Sequence, residues 1–147
     1  MNIPPRREPR VLALARSRGQ LLWVVVDPYE VRAAGDISVG TGTTSLTTVV
    51  RRLIRREKPT LVATPKLAVA LDVRRITDAR GLPLVSGCMP PLPVEVATDM
   101  FPELPLHCPS PRLTRLAAYA IAVTLHAPHQ PRRYAKTLRQ RAAVRAA

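Results

Sequence analysis

The chain has 147 residues, 46% of them hydrophobic, a length that suits one folded domain and is short for two. Its 23 Lys and Arg against 10 Asp and Glu leave a formal net charge of +13, which favours a polyanionic partner. Trp23, Tyr29, Phe101, Tyr119 and Tyr134 are the only aromatic residues, too few for a platform of stacked single-stranded bases, so contacts to nucleic acid are expected at phosphates. No apolar run approaches the ~18–20 residues that span a bilayer, and the N-terminus lacks the apolar core of a signal peptide. The expectation is a soluble, cytoplasmic protein with no membrane segment and no cofactor.

Residues 1–9 hold three prolines, two arginines and a glutamate without apolar periodicity, which predicts a flexible basic arm. From Val11 to Ala15 a short apolar run leads into the turn Ser17-Arg18-Gly19-Gln20, and Leu21 to Val26 is rich in β-branched residues, so the two runs predict a hairpin. Asp27-Pro28 breaks the second strand, and Glu30 to Val39 reads as a third, with Gly35 as the expected bulge. Thr44 or Ser45 can cap a helix in which Leu46, Val49, Val50, Leu53 and Ile54 fall on one stripe. Its other face carries Arg51, Arg52, Arg55, Arg56 and Lys58, either as a solvated surface or as a face for phosphates.

Pro59 ends that helix, Thr60 to Thr64 reads as a buried strand, and Lys66 to Arg80 as a second helix with Leu67, Ala70, Leu71, Val73 and Ile76 inward. Leu82 to Val85 is expected as a short edge strand. Residues 86–111 contain seven prolines and are expected to be a long irregular loop, with at most a brief strand at Val94-Glu95-Val96. Leu113 to Leu125 reads as a helix with Leu113, Leu116, Ala117, Ala120, Ile121 and Leu125 on one stripe. The stretch 128–147 is a basic tail holding Arg132, Arg133, Lys136, Arg139, Arg141 and Arg145. The order β-β-β-α-β-α-β predicts an α/β sandwich, its mixed sheet built from a three-strand antiparallel meander plus parallel strands, with a single domain over residues 10–127.

Three stretches, in this order, resemble the ribonuclease H-like superfamily and its RuvC-type Holliday-junction resolvase branch over roughly residues 10–126. Val11-Leu12-Ala13-Leu14-Ala15-Arg16-Ser17 resembles the first strand and turn, Thr60-Leu61-Val62-Ala63-Thr64-Pro65 the fourth strand, and Leu116-Ala117-Ala118-Tyr119-Ala120-Ile121-Ala122 the last helix. Nucleases of that family clamp two magnesium ions between carboxylates at the ends of those strands and on one face of that helix. The matching positions here are Ala15, Pro65, Leu116 and Tyr119, none of which binds a hard cation. The resemblance therefore implies an inactive member with no metal site. It also implies that Arg16, Lys66, Arg112 and Arg115, at or beside those positions, can hold phosphate directly.

Asp27, Asp36 and Glu95 or Asp99 could form a rebuilt carboxylate cluster, though surface and turn roles explain them more simply, and a zinc site drawn from Cys88, Cys108, His126 and His129 lacks a paired Cys-x-x-Cys and is interrupted by Pro128. The cysteines are simpler as small buried or half-buried thiols. Expected partners are DNA or RNA, with protein partners or a homodimer as further options. The alternatives to a pseudo-nuclease that binds phosphates are an adaptor subunit of a larger nucleoprotein assembly and an active nuclease with a rebuilt site.

Overall fold

The computed structural model describes residues 9–27, 29–40, 45–87 and 92–126. Three strands open the chain: β1 (Val11–Ser17), β2 (Gln20–Val26) and β3 (Val31–Ser38). They pair as an antiparallel meander. The β1–β2 turn sets Arg18 and Gly19 at φ 48° and 77°, the double positive φ that matches a tight hairpin to strand twist. After α1 (Leu46–Glu57), β4 (Leu61–Thr64) pairs parallel to β1; after α2 (Leu67–Ala79), β5 (Leu84–Ser86) pairs parallel to β4. The sheet order is β3-β2-β1-β4-β5, a mixed five-strand sheet with β1 at its centre and β5 at an edge as expected.

Helices flank the sheet on both faces because the strands alternate two apolar sets. Leu12, Leu14, Trp23, Val25 and Val62 pack with Val49, Val50, Leu53 and Ile54 of α1 and Val69, Val73 and Ile76 of α2. On the opposite face Val11, Ala13, Val24, Val26, Leu61 and Ala63 pack with residues of α3 (Val94–Met100), α4 (Leu104–His107) and α5 (Pro111–His126). Ala117 and Ala120 of α5 are fully buried, so small side chains let this helix lie close on the sheet. Arg10 clamps the start of the parallel pair: its N–H donates to Thr60 Oγ1 (2.9 Å), its carbonyl accepts from Thr60 N–H (2.8 Å), and its guanidinium reaches the Glu57 carbonyl (2.6 Å).

Four expectations need correction. The segment 86–111 is not a loop, because β5 ends at Ser86 and α3 and α4 follow, and Val94–Val96 is helical. Proline at a helix start costs no hydrogen bond, and Pro93 at the N-cap of α3, Pro105 near the start of α4 and Pro111 opening α5 all use that allowance. The bulge lies at Arg32 and not at Gly35, since Val25 pairs with Ala33 and Val26 with Val31. Gly35 instead faces Trp23, where a Cβ would stand 3.0 Å from the indole nitrogen. Lastly, Leu67 and Leu71 of α2 point outward, at 63% and 62% exposure, and Val69 takes an inward place.

Candidate nucleic-acid interface

Helix α1 builds a basic face. Ser45 caps it, its hydroxyl accepting from Thr48 N–H at 3.3 Å, which settles the choice between Thr44 and Ser45. With Val49, Val50, Leu53 and Ile54 turned to the sheet, the helical period throws Arg51, Arg52, Arg55 and Arg56 to solvent. Arg56 is engaged: its guanidinium carbon lies 5.0 Å from the Trp23 ring centroid, and its Nε bonds Glu57 at 3.1 Å. Arg51, Arg52 and Arg55 have no ion pair among the described residues. Three unneutralised guanidiniums on about one and a half turns form a strip of positive potential suited to successive phosphates.

Further basic residues stand near strand and helix ends. In the parallel register β1 runs past the end of β4 at Thr64 to Ser17, and α5 begins beside the end of β1, with the Arg112 guanidinium donating to Ser17 Oγ at 2.5 Å. Tyr119 ties the same helix to the end of β5, its hydroxyl donating to the Gly87 carbonyl at 3.2 Å. Of the positions matched to family carboxylates, Ala15 and Pro65 are half-buried at those strand ends, while Leu116 is core.

The expected phosphate-holding residues do not all meet there. Arg112 lies on the α5 side of the sheet, whereas Arg16 lies on the α2 side, 3.9 Å from Asp72 in a half-exposed pair. Lys66 is exposed at the start of α2 and Arg115 is exposed on α5, with its Nε near the Pro111 carbonyl at 3.4 Å. Arg132, Arg133, Lys136 and Arg139 lie outside the described residues, as do Cys88 and His129. Arg74, Arg75 and Arg80 add positive charge on α2 and its cap that the sequence reading passed over. Their outward helical positions were the available signal.

The carboxylates have structural roles or none. Asp27 is 4% exposed and closes the β2–β3 turn, accepting from the N–H groups of Tyr29 (2.8 Å) and Glu30 (2.9 Å) and pairing with Arg32 (3.1 Å). Asp36 is exposed on β3, and Glu95 and Asp99 are exposed one turn apart on α3. Among the described residues no three His, Cys, Asp or Glu side chains gather as a metal site would require. Cys108 is buried at the end of α4, and burial pushes its thiol up from 9.0 to about 11. No helix among the described residues is long and apolar enough to cross a membrane. The sequence matches no family model and no curated protein.

Proposed function

We propose that this chain is a ribonuclease H-like domain of RuvC type that has lost its nuclease activity and binds nucleic acid through phosphates. The observation that carries the reading is the strip of Arg51, Arg52 and Arg55 on α1, held outward by a buried apolar stripe and without a described acidic partner. Two further features support it: the mixed sheet, an antiparallel meander extended by parallel strands with helices on both faces, and the Ala15, Pro65, Leu116 and Tyr119 side chains at positions where the family has carboxylates. Binding of this kind discriminates little between sequences, because phosphates carry no base information.

The test is binding of four-way junction, duplex DNA and duplex RNA across a salt series, with and without magnesium, while the same samples are checked for cleavage. Magnesium-independent binding that weakens with salt at a log–log slope of about −0.9 per duplex phosphate contact supports the reading. Cleavage overturns it in favour of a rebuilt metal site. A second reading, an adaptor subunit of a larger assembly, is favoured by the exposed Leu67 and Leu71 beside β5. Negligible affinity for all three nucleic acids at moderate salt supports that alternative.

A further inference from the structure

We propose that the groove between the C-terminal ends of α1 and α2 seats a single nucleotide unit, its phosphate on Arg55, Lys58 and Arg80 and its sugar and base over an apolar floor. The inference rests on the phosphate-binding reading above and names a distinct site within it.

The groove is shallow, about 310 Å³, and is lined by Ile54, Arg55, Lys58, Pro59, Arg80 and Leu82. It exists because two helices that pack side by side end together. Pro59 stops α1 and turns the chain into β4, and the Leu82 N–H folds back to the Thr77 carbonyl at 2.9 Å, bringing Leu82 under the cap of α2. Buried Ile54 and Pro59 and half-buried Leu82 make an apolar base, while the three cations stand exposed around it. No carboxylate lines the groove. The nearest acids in sequence are occupied elsewhere, Glu57 by Arg56 and Asp78 by Arg74.

Lys58 adds an independent sign. It caps α1 at φ 50° and ψ 56°, left-handed backbone for which glycine is the residue of least strain. A lysine there receives some return from the helix dipole, yet it also places an ammonium at the rim of the groove. Three cations around an apolar floor fit an anion joined to a flat apolar ring better than a bare anion. A nucleotide is such a molecule, and guanidinium groups serve both its phosphate and its base face.

The experiment is an amide-resolved NMR titration of the full chain with adenosine 5′-monophosphate, inorganic phosphate and adenosine. The expected result is that the monophosphate moves the amides of residues 54–60 and 80–82, and binds about tenfold tighter than either fragment. Lys58→Gly should leave the melting temperature unchanged or higher while weakening the monophosphate several-fold. Equal affinity for inorganic phosphate and the monophosphate, shifts centred on Arg51 and Arg52, or unchanged affinity in Lys58→Gly each overturn the proposal. A short 5′-phosphorylated oligonucleotide that displaces the monophosphate from these amides assigns the groove to a strand end; one that binds without displacing it assigns the groove to the free nucleotide. Both results seat a nucleotide there. Loss of the groove with duplex binding intact removes this inference alone, whereas a filled groove on a chain that ignores duplexes removes the phosphate-strip reading alone.

Discussion

The guanidinium of Arg56 covers the ring of Trp23, 5.0 Å from its centroid, and so closes the α1 face of the sheet over a tryptophan that is only 7% exposed. The indole N–H beneath it has no hydrogen-bond acceptor among the described residues, so the ring depends on packing and on the cation above it. Arg56→Ala should cost about 0.5–1 kcal/mol, the range for a partly exposed cation–π pair. Trp23 is the only tryptophan, so its fluorescence reports the change directly, with a red shift as water reaches the ring.

Replacing Gly35 by Ala sets a methyl group 3.0 Å from the same indole nitrogen. The ring is wedged between sheet and helix and has little room to give. Overpacking of this kind costs about 1–3 kcal/mol, more than the ~0.4–1 kcal/mol that a smaller unfolded-state entropy returns. A urea midpoint lower than that of the parent, with an unchanged slope, checks the expectation; an equal or higher midpoint refutes it.

Exchanging Arg51 and Arg52 for Ala should reduce the magnitude of the salt slope of duplex binding by roughly 1.8, two contacts at about 0.9 each. Both side chains are exposed and unpaired among the described residues, so the melting temperature should hold. An unchanged slope would move the phosphate contacts off this helix.

Asp27→Ala removes the buried carboxylate that accepts from two backbone N–H groups and pairs with Arg32, a loss of about 2–3 kcal/mol. Asp27→Asn should recover most of it, because the amide oxygen still accepts from Tyr29 and Glu30. Chemical denaturation of the two variants separates the turn bonds from the ion pair.

Cys108 links stability to alkaline pH. Its thiol ionises near 9.0 when exposed and near 11 when folded, so between those values the unfolded chain has already lost the proton that the native chain keeps. Folding stability therefore falls as pH rises through that window. Cys108→Ala should show a shallower decline than the parent over the same range, measured by urea midpoints at stepped pH. Parallel curves would contradict the assignment.

Much of the fold was legible because local chemistry and burial agreed. The Arg18-Gly19 turn, the α1 stripe and the proline-bounded β4 each follow from a short window of residues. What escaped was set by distant partners. Val94-Glu95-Val96 alternates like a strand, yet Ala97 and Met100 turn the segment into a helix packed beneath α5. Leu67 and Leu71 fit an inward stripe by spacing, but the sheet at that point reaches only Val69, Ala70 and Val73. The Arg51-Arg52-Arg55 strip lies within one helix and was readable. Arg80 joins Arg55 and Lys58 only through the packing of α2 on α1, which no window of sequence contains.

The two borders of the sheet discourage templating of a foreign strand by different means. On the β3 side, Glu103 Oε1 accepts the Val31 N–H at 3.1 Å and the bulge at Arg32 breaks the regular ladder next to it. On the other side β5 is three residues long, which gives an incoming chain few amides to extend from. Growth of a fibril or a swapped pair from the β5 border, or from the start of β3, is thereby disfavoured.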